Sequence, residues 1–174
     1  MLPLLVGSCA SHQKTATPAQ MEALSTLVSN KSFEIQAKWA RPMVTQSLNS
    51  VSNAGLLPYG STVNRIDVSG STSYLRVSGE TVEAKLPYYG EKQIGGPYNP
   101  NDAGLQFEGV PKDFELEQNA EDGRYTMKFN INNTVESFQV TAQMYPSRHC
   151  TINIVGSHRR SIQYEGTLME YVEE

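Results

Sequence analysis

Long apolar runs are missing from this chain: none approaches the ~18 residues that a membrane-spanning helix requires. Histidine and cysteine are scarce, three and two in 174 residues. No His-x-His, Cys-x-x-Cys or His-Glu-x-x-His spacing occurs, so neither a metal nor another cofactor is expected. His149 and Cys150 are neighbours; in a strand their side chains point to opposite faces, and they can share no metal and form no nucleophile–base pair. The many serines include no Gly-x-Ser-x-Gly elbow, and the isolated glycines form no phosphate loop. Basic clusters are lacking too. Lys and Arg are scattered singly apart from Arg159-Arg160, the net charge is -4 and the pI is near 5.4. That balance offers no electrostatic footprint for nucleic acid. With no catalytic residue to name, the chain is expected not to be an enzyme, a hydrolase of unrecognised kind being the weaker alternative.

Two cysteines permit at most one disulfide, and the two differ in setting. In "RHCTINIV", Cys150 alternates with Ile152 and Ile154, which makes it a small buried apolar residue. Cys9 follows "LPLLVGS". A hydrophobic segment running into small residues is what a signal peptidase reads, and a cysteine just after the cut resembles the lipobox of bacterial lipoproteins. In that family the mature chain begins at the cysteine, whose acyl chains hold the protein on a bilayer at roughly 0.8 kcal/mol per buried methylene. Residues 1–8 carry no Lys or Arg and read as the remnant of a longer signal sequence; a chance cysteine in an apolar tail is the alternative. Residues 9–16 are polar and small, a flexible tether, and residues 17–174 form a single β-domain with an N-terminal helix. The expected location is the cell envelope, lipid-anchored to the outer membrane. Cys9 is not followed by the acidic cluster that resembles a surface-export signal in Bacteroidetes lipoproteins, which favours a periplasm-facing position.

"TPAQMEALSTLVSN" carries a helix-start signature: Thr17 caps, Pro18 suits the first position, and Gln20 completes a capping box. Met21, Leu24, Leu27 and Val28 form its apolar stripe. "SFEIQAKWA" then alternates, with Phe33, Ile35, Ala37 and Trp39 on one face. Residues 41–62 show no sustained period and read as a long connection whose Leu48, Leu56 and Leu57 pack on the domain. Beyond it the period is two almost throughout, from "NRIDVSG", "SYLRVSG" and "ETVEAKLPYYG" to "GLQFEG", "DFELEQN", "RYTMKFNIN", "VESFQVTAQMY", "CTINIV" and "SIQYEGTLMEY". Short connections and the lack of βαβ alternation predict an all-β antiparallel meander of about nine or ten strands. One sheet cannot cover its own apolar face, so it closes as a lipocalin-like barrel, with a β-sandwich as runner-up. A small outer-membrane barrel fits poorly: the chain has one Trp for its girdles and ends in acidic "EYVEE".

At "AKLPYYG", "GLQFEG" and "SIQYEGTL" the sequence resembles a family of uncharacterised Bacteroidales-type lipoproteins, domain of unknown function 4251, over about residues 30 to 172. The resemblance implies an envelope location and an all-β domain, and no activity, substrate or catalytic residue.

The stretch that looks shaped for recognition is "LPYYGEKQIGGPYNPNDAGLQF", a long insertion between two strands that carries Tyr88, Tyr89 and Tyr98. Tyrosine suits binding, presenting an apolar ring and a polar tip; the plainer reading packs these rings on the barrel rim to hold the loop closed. Asn99, Asn101 and Asp102 match no known calcium loop. Glu115 and Glu117 share a face, and their alternation with Phe114 and Leu116 makes it the wet one. The expected role is binding, either of a small apolar or amphiphilic ligand in the barrel mouth or of an envelope partner along the rim. The alternative is a structural outer-membrane assembly protein without a cavity, its core filled by Trp39, Phe107, Phe129, Phe138 and Met144.

Overall fold

The computed structural model describes residues 16–91 and 104–172. Helix α1 spans Pro18–Ser29. It starts where its capping box places it: the Thr17 hydroxyl accepts from the Gln20 amide at 3.3 Å, and the Gln20 side chain accepts from the Thr17 amide at 3.0 Å. Leu24, Leu27 and Val28 are buried beneath it. The strands are β1 Ser32–Pro42, β2 Ile66–Asp67, β3 Tyr74–Ser78, β4 Thr81–Pro87, β5 Gly104–Gly109, β6 Lys112–Gln118, β7 Tyr125–Asn132, β8 Ser137–Met144, β9 His149–Gly156 and β10 Ile162–Glu170. A second helix, α2, spans Gln46–Asn53 between β1 and β2. The sequence shows one helix and a long connection, because α2 is short and rich in Ser and Asn. Its start is nonetheless written in the chain, since the Thr45 hydroxyl accepts from the Leu48 amide. Leu48 is buried as expected, whereas Leu56 is exposed. "NRIDVSG" supplies only the two-residue β2.

All strands belong to one antiparallel sheet in the order β5-β4-β3-β1-β10-β9-β8-β7-β6, with β2 continuing the edge of β1 beyond β3. The N- and C-terminal strands pair at its middle, Phe33 opposite Glu170 through Pro42 opposite Ile162. The sheet curls into a half-barrel. Phe107 on β5 meets Phe129 on β7 edge-on at 6.2 Å and Phe138 on β8 at 5.3 Å. Among the described residues no pairing joins β5 to β6, so the expected ring is met as a curled sheet with a seam.

At that seam the chain passes from one edge of the sheet to the other through Val110 and Pro111 alone. Because every neighbouring pair is antiparallel, β5 and β6 run in the same direction, and together they are one bent run serving both edges. The bend uses Gly109 at φ 142, a region that favours glycine, and Asp113 at φ 53, with a bulge between Lys112 and Glu115. The Asn130 amide donates to the Asp113 carboxylate at 3.0 Å and holds the corner.

The inner face is filled by side chains, with Tyr164, Phe33, Phe129, Phe138, Met127 and Met144 almost wholly buried. Trp39 is not among them. A bulge at Lys38 shifts the register of β1 against β10 between Ala37 and Trp39. The phase therefore flips, Ala40 and Pro42 turn inward, and Trp39 turns outward under the Arg65 guanidinium at 3.9 Å. The half-barrel has two open ends. α1 crosses one, reaching from β1 to the β6–β7 turn, where Met21 packs on Gly123 and the Tyr125 hydroxyl donates to Ser25 at 3.0 Å. No helix among the described residues is long and apolar enough to cross a membrane.

Candidate functional site

The end opposite α1 gathers the irregular segments. Four meet there: α2 with residues 54–64, residues 88–91 after β4, the β7–β8 turn, and residues 157–161 before β10. Two of the three loop tyrosines fall in this region, while Tyr98 and Cys9 lie outside the described residues.

Tyr88 is tied down. Its hydroxyl donates to the Arg160 carbonyl at 3.0 Å, its ring lies 4.9 Å from the Arg159 guanidinium, and burial raises its pKa above the usual tyrosine value. Arg159 is the keystone here. It forms a buried ion pair with Glu136 on the β7–β8 turn, the side chains 4% and 1% exposed, and donates to the Gly104 carbonyl on β5 at 3.0 Å. Nearby the Asn133 amide donates to the Gln106 carbonyl at 2.9 Å. Both bonds cap the unpaired side of β5 with side chains from the far side of the seam, supplying the hydrogen bonds a closing strand would make. Tyr164 extends the same arrangement, its hydroxyl donating to the Pro87 carbonyl at 2.8 Å. Tyr88 therefore belongs to the closure of this end.

Tyr89 is different. It is half-buried, burial alone raises its pKa, and its ring lines a cleft of about 380 Å³ with Pro58, Tyr59, Asp67 and the turn at Val68 to Ser71. Tyr59, at the rim, is fully exposed, and Leu56 beside it is 73% exposed. Met43, Val44 and Val51 are exposed on the same segment. Between Arg41 and Arg65 the chain carries no charged residue, so this segment forms a lip of exposed apolar side chains set among Ser, Asn and Gln, with the charged Arg41, Arg65, Glu91 and Arg160 around it. The lip is fixed to the domain: Leu48 is buried beneath α2, the Ser47 hydroxyl donates to Glu91 at 2.8 Å, and Glu91 pairs with Arg160 at 3.8 Å. Sequence periodicity passes over this feature because the lip has no period. Its signal was the charge-free interval itself.

A second cleft, of about 530 Å³, lies where the β4–β5 outer face meets Asn132 to Thr134. Its walls mix Glu83, Lys85 and Glu108, a polar surface of no single sign. Cys150 is buried, and burial pushes its thiol up to about 12, which keeps it protonated and unreactive. His149 is exposed on the opposite face. Glu115 and Glu117 are exposed, with Glu115 3.8 Å from Lys128. Among the described residues no group of three His, Cys, Asp or Glu side chains converges as a metal site would need.

Comparisons with known proteins bear on the family and the fold. A family model described as a domain of unknown function, DUF4251, matches residues 16–168. A crystal structure of a DUF4251 family protein from Bacteroides eggerthii DSM 20697 superposes with a TM-score of 0.57 at 12% identity, covering 91% of this chain and 92% of that one. No curated protein matches the chain. This chain belongs to the DUF4251 family.

Proposed function

We propose that the protein is a non-enzymatic binding domain of the cell envelope, held to the membrane by acyl chains on Cys9 and docking an envelope partner on its lip. The observation that carries the reading is the pairing of a filled interior with a rim segment that exposes several large apolar side chains and carries no charge of its own. The inner face leaves its volume to aromatic and aliphatic side chains, which argues against a ligand within the barrel. The rim exposes Met43, Val44, Val51, Leu56 and Tyr59 on one segment, and large apolar side chains left exposed close together in the chain support an interaction site there. The geometry favours a partner over the bilayer. The described chain begins at α1, at the opposite end, so an anchor preceding α1 leaves the lip facing away from the membrane.

A second reading keeps the small-ligand mode and places it, among the described residues, in the Tyr59–Tyr89 cleft. An amphiphile there would lie between two aromatic rings and the backbone of Ser69 to Ser71. Photo-crosslinking in cells from position 59, compared with position 121 at the helix end, separates the two. A discrete protein adduct from position 59 that disappears in Leu56→Ser supports docking. Adducts confined to lipids or small molecules reject docking in favour of the second reading. Intact mass of protein extracted from cells tests the anchor: a chain beginning at Cys9 with added acyl mass is expected, and an unmodified chain retaining residues 1–8 rules it out.

A further inference from the structure

The free edge of β6, at the helix end and away from the lip, is built differently from its counterpart β5. On β5 the outward carbonyls of Gly104 and Gln106 are taken by Arg159 and Asn133. Among the described residues β6 has no such cap. The Asn119 amide donates to the Arg124 carbonyl at 2.8 Å, which marks that pair as hydrogen-bonded. Alternation along an antiparallel ladder then turns the N–H and C=O of Leu116 and Gln118 away from β7. Neither residue's backbone has a partner on that side among the described residues.

The side chains of β6 are unusual as well. On every other long strand the inward residues are buried, whereas Phe114 and Leu116 stay part-exposed although they pack against the core. Phe114 stacks on Phe129 at 6.2 Å, and its other flank opens into a cleft of about 190 Å³ walled by Val77, Val82, Val110 and Pro111. Lys31 stands at the mouth of that cleft, 5.8 Å from the Phe114 ring. The opposite, outward face carries Glu115, which faces Lys128 on β7 at 3.8 Å, and Glu117, which faces Thr126. Residues 108–122 hold Glu108, Asp113, Glu115, Glu117, Glu121 and Asp122 against a single basic residue, Lys112.

We infer that the β6 edge receives an extended, basic segment of another protein as an added strand. An incoming chain would pair with the backbone of Leu116 and Gln118, lay alternate apolar side chains over Leu116 and into the Phe114 cleft, and set its intervening Lys or Arg residues beside Glu115 and Glu117. Main-chain bonds supply affinity in this mode, and the alternate pockets and charges supply specificity. Edge charges also serve to repel unwanted strands, and that accounts for the choice of occupant. A second copy of this chain would set carboxylates against carboxylates, so self-pairing at β6 is disfavoured while a basic strand is attracted.

The test uses the full chain and a synthetic heptapeptide of alternating sequence, Lys-Val-Lys-Leu-Lys-Val-Lys with blocked ends. Binding is followed by calorimetry and by amide exchange. On saturation the Leu116 and Gln118 amides should exchange at least tenfold more slowly. Gln118→Pro, which removes one outward donor and leaves the β7 ladder intact, should weaken binding tenfold or more at an unchanged denaturation midpoint, and the charge-neutral double variant Glu115→Gln, Glu117→Gln should weaken it as well. The inference is overturned if the peptide fails to bind at millimolar concentration. It is overturned equally if a version N-methylated at alternate amides binds as tightly, or if the two amides are unaffected in the complex. A change in the oligomeric state of the free chain on Gln118→Pro would show that a second copy holds the edge, and would overturn it too.

Discussion

Cys150 shows how far a single buried atom couples this fold to its solvent. Its thiol is wholly enclosed between β9 and its neighbours, and enclosure raises its pKa from 9.0 to about 12. The folded state therefore keeps a proton that the unfolded chain loses once the pH passes about 9. Below that pH the group makes stability neither rise nor fall. Between about 9 and 12 stability should drop by about 1.4 kcal/mol per pH unit for this one group. Tyr164, buried and raised well above its ordinary 10.0, adds a similar decline that begins higher. Urea denaturation at pH 7 and at pH 10 should show the loss in the native chain and a shallower one in Cys150→Ala; equal slopes would mean that the thiol ionises in the folded state. Glu136 and Arg159 make the complementary case, two charges kept out of water by touching each other. Truncating one strands the other, so Arg159→Leu or Glu136→Leu alone should cost about 3–5 kcal/mol, and the double replacement by apolar residues much less than the sum. A double-mutant cycle read by urea midpoints measures the difference, and additive losses would show that the pair is not coupled.

The elements differ in how openly the chain declares them. β7, β8, β9 and β10 alternate without a break, and their buried residues are those the period selects, as at Phe138, Val140, Ala142 and Met144. Phe129 is 2% exposed and touches both Phe107 and Phe114, so Phe129→Ala should cost about 3–5 kcal/mol in denaturant unfolding. A loss under ~1 kcal/mol would mean that the site collapses and that the aromatic contacts across the half-barrel are loose. β1 alternates just as well on paper and misleads at its far half, because a period of two cannot announce an inserted residue. The bulge at Lys38 is visible only from the partner strand, where Gly166 faces Ala37. A Cβ on Gly166 would collide with the Gln36 carbonyl oxygen, a backbone atom that cannot step aside. Gly166→Ala should accordingly destabilise far more than a strand glycine normally does, and its part-exposed neighbour Thr167→Ala should not. Similar stability of the two variants would show that β1 and β10 can separate at the bulge at little cost. α2 was hidden for another reason. Its polar face is Ser and Asn, residues that favour caps and turns, and its place on the body is decided by Leu48 and by Ser47 reaching Glu91, contacts made far along the chain. The lip inherits that illegibility, while Tyr88 and Tyr89 were legible as a pair and separable only once Arg159 and Tyr59 were placed beside them.

At the scale of the molecule, the sheet is one surface with its strongest part in the middle and a seam where its edges approach. β1 and β10 pair along nearly their whole length and are flanked on both sides, although they come from opposite ends of the domain. Among the described residues the two sides of the seam are joined by the covalent corner at Val110 and Pro111, by the Phe107 contacts, and by the Arg159 and Asn133 bonds. Such a sheet should open from its edges inward, and from the two edges unequally. β5 has its outward carbonyls capped and its inward Leu105 and Phe107 buried. β6 has neither advantage: Leu116 and Gln118 direct backbone groups outward, and Phe114 and Leu116 are part-exposed. Local opening free energy follows buried apolar contact and backbone pairing. Native-state amide exchange should therefore give the greatest protection in β1, β9 and β10, less in β5, and the least in the free-facing amides of β6. The ordering between the edges is the sensitive part. If Arg159→Leu lowers the protection of β5 towards that of β6 and leaves β10 unchanged, the buried pair is what holds that edge in place. If instead Leu116 and Gln118 in the native chain exchange as slowly as the β10 amides, the β6 edge is covered, and the half-barrel is closed on the side where its strands do not pair.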